Sequence, residues 1–181
     1  MSANDRAHPY VSLARETVRR NLEGDGPLLS GNEIDTDESL WAQKKACFVS
    51  IKTLNGNLRG CIGTIAPIQP SLDREIMANA ISASSRDPRF GPLRLEELDG
   101  VTFSVDVLSA PEAVSDISSQ LDPRQWGVIV SKGYRRGVLL PDLEGVDTVQ
   151  EQLEIAAQKA GISDFLDASI ERFSVDRYKE A

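Results

Sequence analysis

The stretch that decides the fold runs from Ala46 to Thr64 and reads ACFVSIKTLNGNLRGCIGT. Two strand-like runs flank Asn55-Gly56, the pair that most strongly indicates a two-residue hairpin turn with positive φ at both positions. We therefore predict a β-hairpin in which Leu54 lies opposite Asn57. The register of every other pair in the hairpin follows from this one.

The predicted register sorts the side chains onto two faces, because cross-strand partners share a face and faces alternate along each strand. Ser50 is expected opposite Cys61, and Lys52 opposite Arg59. The face expected to meet the core carries Cys47, Val49, Ile51, Leu58 and Ile62. The other face carries Phe48, Ser50, Lys52, Arg59 and Cys61, so the polar chemistry gathers on one side of the hairpin.

The two cysteines of the chain, Cys47 and Cys61, fall on opposite faces of this hairpin. A disulfide needs Cβ atoms that approach to about 3.5–4.5 Å, which side chains on opposite faces do not do. Both are therefore predicted to be free thiols. Such thiols, with no apolar leader and no apolar run long enough to span a membrane, indicate a cytoplasmic protein without a membrane partner.

The net charge narrows the classes of partner. The chain has 181 residues, with 28 acidic and 20 basic side chains and a formal net charge of −8. A nucleic-acid surface needs a basic stripe to neutralise phosphates, so nucleic acid is not an expected partner. The length suits one domain that buries a sizeable core without disulfides.

The rest of the chain alternates between helix and strand signals. Helical spacing and end signals predict three helices, over Val11–Leu22, from Ser71 to before Asp87-Pro88, and from Asp147 or Thr148 to Ala160. Alternating patterns predict strands at Val101–Leu108, Gly127–Ser131, Gly137–Leu140 and Arg172–Tyr178. Hairpins interspersed with helices indicate an α+β fold with mixed, largely antiparallel sheets and flanking helices.

Four motifs in this order resemble one family. They are LRGCIGT at 58–64, SRDPRF at 85–90, VDVL at 105–108 and LLPDLEGVDT at 139–148. Together they resemble the AMME-chromosomal-region domain family, whose prokaryotic members are called AmmeMemoRadiSam system protein A, and the resemblance runs from about His8 to the C-terminus.

This resemblance implies a single domain over residues 1–181, with a larger lobe, a smaller lobe packed against it and a cleft between them near LRGCIG. The family name implies association with a Memo-type protein and a radical S-adenosylmethionine protein. Function must still be argued from the site.

Cys61 is the first candidate for chemistry. Arg59 and Lys52 on its face would favour a thiolate and make it a nucleophile. The alternative is a small buried packing residue, because the single histidine, His8, is placed near Cys61 by nothing in the sequence and no other base is evident. Gly60 and Gly63 weaken a strand, so each indicates a bulge or the close approach of a ligand or another backbone.

The arginines of these motifs have two interpretations. Arg59 suits bidentate binding of a carboxylate or phosphate, or an ion pair between the lobes. The segment Arg86-Asp87-Pro88-Arg89 is either an anion clamp with Arg59 or the end of a helix, where arginine bonds exposed carbonyls. The acids considered for the ion pair are Asp87, Asp142, Glu144 and Asp147.

The acidic run containing Glu144 suggests a general acid or a hard-cation ligand, but its residues also fit ordinary turns and a helix cap at Asp147. Two cysteines on opposite faces and a distant histidine cannot form a closed zinc site, and no phosphate loop or dinucleotide glycine pattern occurs. We therefore expect no metal and no cofactor.

Two functions remain open. One is a pathway component, whether or not it is itself an enzyme, that binds a small anionic ligand through Ser50, Arg59, Gly60, Gly63, Arg86, Asp87 and Arg89, with Cys61 and Glu144 as candidate catalytic groups. The other is a non-catalytic adaptor that binds a partner protein.

Overall fold

A computed structural model of the chain describes residues 7–28 and 30–180. The helices are α1 (Pro9–Glu23), α2 (Glu38–Trp41), α3 (Leu72–Ser85), α4 (Ile117–Gln120) and α5 (Val149–Lys159). The strands are β1 (Cys47–Thr53), β2 (Leu58–Gly63), β3 (Val101–Leu108), β4 (Glu112–Ala113), β5 (Gly127–Lys132), β6 (Arg135–Leu139), β7 (Ser169–Phe173) and β8 (Val175–Lys179). Short 3₁₀ turns occupy Gly31–Glu33, Leu95–Gly100 and Phe165–Asp167. The predicted α+β class is confirmed.

The helix ends follow local chemistry. α1 starts with Pro9 at its first position and ends at Gly24, whose left-handed φ of 78° suits glycine. α3 ends before Asp87-Pro88 as predicted. α5 is capped by Thr148, not Asp147, in a reciprocal capping box with Glu151.

The first compact unit comprises residues 7–107 and 176–180 of the described chain. Its four-stranded sheet has the order β2-β1-β3-β8, and β1 is antiparallel to both neighbours. α1 and α3 pack on each other, and α3 also packs on β1 and β2. The core between the helices and the sheet includes Leu13, Val49, Ile51, Ile76 and Phe103.

The second compact unit comprises residues 108–175. Its antiparallel sheet has the order β4-β7-β5-β6, and α5 packs on β5 and β6. The core of this unit includes Val128, Val130, Leu153, Ala156 and Ile170. No helix within the described ranges is long and apolar enough to cross a membrane.

The final strand predicted at Arg172–Tyr178 is two strands in two sheets. β7 pairs with β4 and β5, whereas β8 pairs with β3. Ser174 separates them, because its carbonyl accepts from the Ser109 backbone N–H at 3.0 Å and its own N–H donates to Ser109 Oγ at 2.9 Å. Ser174 thus bonds to Ser109 instead of to a neighbouring strand, and the strand is interrupted there.

The hairpin register is confirmed near Cys61 and is wrong near the turn. Ser50 lies opposite Cys61 as predicted, but Lys52 lies opposite Leu58, and Arg59 is the extra residue of a β-bulge. The turn itself holds three residues, since Thr53 N–H donates to the Asn57 carbonyl at 2.8 Å.

Two consequences follow from the bulge and the longer turn. Gly56 has a φ of 82°, whereas Asn55 has no positive φ, so the predicted two-residue turn is wrong. Leu58 shares the face of Lys52 rather than the core face, and it is 36% exposed.

Candidate functional site

The candidate site lies on the face of the first sheet that is turned away from α3. A Cβ added to Gly60 would lie 2.2 Å from the Ala83 carbonyl oxygen of α3, so only glycine allows this helix to approach β2 so closely. The next side chain, Cys61, therefore points to the opposite face. There it shares a row with Ser50 of β1 and Ser104 of β3.

We name this set, together with Asp106 of β3 and Arg177 of β8, the sheet-face cluster. Asp106 is almost completely buried and accepts hydrogen bonds from Arg177 Nε at 2.7 Å and Nη2 at 3.1 Å. Neither residue was among the predicted site residues. The available signal was a single acid inside the apolar strand Val105–Leu108, since a buried carboxylate requires a partner.

Cys61 is held as a neutral thiol. Its side chain is half-buried, and Ser50 Oγ donates to its Sγ at 3.1 Å. Burial raises the pKa of Cys61 above its ordinary value, and the nearby charges of Asp106 and Asp87 act in the same direction. The Ser50 hydrogen bond and the Arg89 charge lower this pKa without cancelling the effect of burial.

Asp87 and Arg89 cap the outer edge of β2. The buried Asp87 carboxylate accepts from the Cys61 backbone N–H at 2.9 Å and from Arg89 Nη2 at 2.8 Å. Arg89 Nη2 also donates to the Cys61 carbonyl at 3.3 Å. The Arg89 hydrogen bonds hold the pKa of Asp87 far below its ordinary value. The pair thus satisfies backbone groups that an edge strand would otherwise expose.

Arg59 is fully engaged by neighbouring groups. Its Nε and Nη2 donate to the Glu97 carboxylate at 2.9 and 3.0 Å, and it also donates to the carbonyls of Gly91 and Pro92 at 3.0 and 3.3 Å. The carboxylates predicted for an Arg59 ion pair were therefore wrong, because the partner is Glu97. Arg59 hydrogen bonding lowers the pKa of Glu97.

Gly63 also has a packing reason. A Cβ there would lie 2.2–2.6 Å from atoms of the Phe48 ring, which covers the glycine across the strand pair. The direct contacts of Gly60 and Gly63 in the structure are thus with Ala83 and Phe48. Their assignment to ligand binding stays a prediction.

The remaining predicted residues take no part in these contacts. The Arg86 backbone N–H donates to the Ser82 carbonyl at 2.8 Å, whereas its exposed side chain forms no hydrogen bond or ion pair with any described residue. Glu144 lies in the second unit, on an exposed loop where Asp142 adopts a left-handed φ of 56°. The ion pair of Asp147 is with Arg124, at 3.7 Å, and both side chains are about three-quarters exposed.

Cys47 is more deeply buried than Cys61. It lies in the core, and neither cysteine is in a disulfide. Burial raises the pKa of Cys47 to about 12, and Asn79 donates a hydrogen bond to its Sγ. Among residues 7–28 and 30–180, no group of three histidine, cysteine or acidic side chains is placed to hold a metal ion.

Comparisons with known proteins agree on one family. The sequence model of the AMMECR1 family matches residues 11–180. A protein of Thermotoga maritima is 50% identical over 173 residues, which cover 95% of this chain and 98% of that protein. A protein of Clostridium acetobutylicum is 46% identical over 173 residues, which cover 96% of this chain but 36% of that longer protein.

The fold agrees with a solved relative as well. The crystal structure of an uncharacterized protein, PH0010, from Pyrococcus horikoshii has a TM-score of 0.83 and 29% sequence identity, and the match covers 94% of this chain and 89% of that one. The family match spans nearly the whole chain, including all four motifs. The chain therefore belongs to the AMMECR1 family, as its motifs predicted.

Proposed function

We propose that the protein binds a small anionic ligand beside the Leu58–Gly63 strand and acts as a component of a modification pathway. The observation that carries this proposal is the exposed Arg89 guanidinium at the edge of β2, and the Ser50–Cys61 contact of 3.1 Å bears on the role of the thiol. Ser50 is the one described side chain that hydrogen-bonds the Cys61 sulfur, so no carboxylate or imidazole among the described residues bonds it as a general base would. A neutral thiol beside a hydroxyl row suits recognition better than nucleophilic attack.

The anionic group of the ligand is assigned to the arginines after α3. Arg89 uses Nε and Nη2 within the protein, while its Nη1 forms no hydrogen bond among the described residues and its side chain is 55% exposed. Arg86 adds a second exposed guanidinium three positions away. Guanidinium groups bind carboxylates and phosphates through charge-assisted hydrogen bonds.

The other predicted residues shape this site rather than carry charge to the ligand. Arg59 of β2 bonds Glu97, and Asp87 accepts from the backbone N–H of Cys61 in β2. Gly60 allows α3 to approach the strand closely, and Gly63 allows the same for the Phe48 ring. Cys61 and Ser50 supply polar contacts on the sheet face. Glu144 receives no role in this proposal, which is built from residues of the first unit.

Membership of the AMMECR1 family supports the choice of pathway. We propose that the protein acts in the cytoplasm with a Memo-type protein and a radical S-adenosylmethionine protein. In that setting the ligand is a substrate or product passed between these partners. Purified candidates from both classes, tested for a stable complex by size-exclusion chromatography, check this part separately from ligand binding.

The experiment on the ligand uses the purified chain. Native mass spectrometry after mild extraction identifies co-purifying anions, and thermal-shift measurements then compare the wild type with Arg89→Gln, Ser50→Ala and Arg124→Gln. We expect Arg89→Gln and Ser50→Ala to weaken binding, whereas the exposed Arg124→Gln control retains it. Equal binding by all four proteins would refute the site.

One observation favours the adaptor function as a second candidate. Ile68 and Leu54 of the first unit are 74% and 69% exposed, and a partner protein would remove these large apolar side chains from water. An adaptor would form a complex with a partner that Ile68→Ser weakens. That complex would be unaffected by Arg89→Gln, which separates the two functions.

A further inference from the structure

A second concave surface lies on the helical side of the first unit. It has a volume of about 570 Å³ and is walled by α1, by the loop after α1 and by α3. This volume falls within the usual range for small-molecule sites. Because α3 packs on the sheet face opposite Cys61, the cavity is separate from the sheet-face cluster.

The floor of the cavity is apolar. On α3, Met77 and Ile81 line it four residues apart, with Ala78 beside them, so one stripe of this helix faces the space. Leu28 completes the floor and is almost completely buried. Gly24, with a φ of 78°, helps to reverse the chain after α1 so that Leu28 can reach this position.

The charged side chains that line the described part of the cavity are both basic. Two of its described lining residues are arginines, Arg20 of α1 and Arg74 of α3, and none is acidic, in a chain whose net charge is −8. Arg20 also contacts Glu16 and Glu33 at 3.2 and 3.4 Å, and Arg74 interacts within the protein as well, so a ligand would share both guanidiniums with protein groups. The side chains of Asn21 and Gln69 add amide groups at the wall.

We propose that this cavity is a binding site for an amphipathic carboxylate, with its apolar body on Met77, Ile81 and Leu28 and its carboxylate between Arg20 and Arg74. Apolar burial against the floor supplies most of the affinity, and the guanidiniums select the anionic head over a neutral one. The site does not depend on the ligand proposed for the sheet-face cluster.

Methionine-methyl NMR provides a direct test, since the chain has two methionines, Met1 and Met77. Decanoate is titrated below its critical micelle concentration into protein labelled with ¹³C at the methionine methyl groups. We expect a saturable shift of the Met77 signal. Decanol, which lacks the charge, and acetate, which lacks the apolar body, should each bind at least about tenfold more weakly.

Variants separate this site from non-specific binding. Arg74→Gln should weaken decanoate roughly tenfold, because it removes one charge-assisted contact, while Arg124→Gln in the second unit should leave the affinity unchanged. Ala78→Trp, at an exposed helical position on the cavity wall, should fill the space and abolish the shift. A circular-dichroism melt confirms that each variant is folded.

The proposal is overturned by any of three results with folded proteins. These are a Met77 signal that decanoate does not move, equal affinities for decanoate and decanol, and a decanoate affinity that neither Arg74→Gln nor Ala78→Trp changes.

Discussion

Arg59 and Glu97 form a two-pronged ion pair, with Nε to Oε1 at 2.9 Å and Nη2 to Oε2 at 3.0 Å, beside the β-bulge of β2. The pair fastens the Leu95–Gly100 turn to the strand that carries Cys61. Because Arg59 also donates to the carbonyls of Gly91 and Pro92, one side chain holds the whole segment that follows Arg89.

Replacing Arg59 with lysine should therefore destabilise the protein by about 1–3 kcal/mol even though the charge is kept. Lysine cannot reproduce the planar fork that serves one carboxylate and two carbonyls. Urea unfolding followed by circular dichroism measures the change. The exposed Arg124–Asp147 pair at 3.7 Å is the matched control, and Arg124→Lys should change stability by less than about 0.5 kcal/mol. A stability of Arg59→Lys equal to that of the wild type would contradict this reading of the contact.

The hairpin shows what sequence patterns can and cannot predict. Alternation and Asn55-Gly56 located both strands and correctly placed Ser50 opposite Cys61. Gly60 indicated a bulge as one alternative, but the partner of Arg59 could not be predicted, because Glu97 lies 38 residues further along the chain. Which carboxylate pairs with Arg59 depends on how the segment around Glu97 folds, and sequence spacing near Arg59 does not show it.

Gly60 should be the least replaceable residue of the motif. In Gly60→Ala the new methyl group would meet the Ala83 carbonyl oxygen at 2.2 Å, so α3 must move away from the sheet. We expect a loss of about 3 kcal/mol in the free energy of unfolding. Gly100→Ala is the control, because a Cβ there meets nothing within 4 Å and its φ is not left-handed. The two variants compared by thermal melting should differ clearly, and similar melting temperatures would show that α3 yields without cost.

Asp87 should make the free energy of unfolding depend on pH below about pH 4. Its pKa is lowered in the folded protein from an ordinary value of 3.8, chiefly by the Arg89 hydrogen bonds. Its carboxylate therefore stabilises the fold above about pH 4, and this contribution is lost as the pH falls further towards the folded pKa. Asp87→Asn should cost about 1–3 kcal/mol at pH 7. Urea midpoints at pH 7, 4 and 3 should show the difference between wild type and variant shrinking with acid, whereas a constant difference would rule out this linkage.

Both thiols should be alkylated slowly, and Cys61 should react before Cys47. Burial raises the pKa of Cys61, so iodoacetamide should modify it little at pH 7 and faster only above the ordinary thiol range near pH 9. Cys47, with a pKa raised to about 12, should stay unmodified until urea unfolds the protein.

Mass spectrometry of the modified peptides distinguishes the two cysteines. Arg89→Gln removes a charge that lowers the pKa of Cys61, so this variant should react still more slowly at pH 8.5. The Cys61→Ser protein identifies any background modification. Rapid labelling of Cys61 at pH 6–7 would instead revive the nucleophile hypothesis.

The candidate site was predicted less completely than the fold. Ser50, Cys61, Asp87 and Arg89 come together in the structure, but the sequence predicted only the Ser50–Cys61 pairing, through the hairpin register. The Asp106–Arg177 pair joins β3 to β8, and no local pattern identifies Arg177, 71 residues away, as the partner of the buried acid. The predicted strand at 172–178 failed for a similar reason, since Ser174 leaves its ladder to bond with Ser109.

The three-residue turn and the bulge at Arg59 offset each other. The turn shifts the strand pairing by one position, and the extra residue at Arg59 shifts it back before Gly60. A hairpin with a two-residue turn and no bulge would fill the same ten positions, 51–60, between Ser50 and Cys61. A homologous chain can therefore exchange one arrangement for the other during evolution with no insertion or deletion between these two residues.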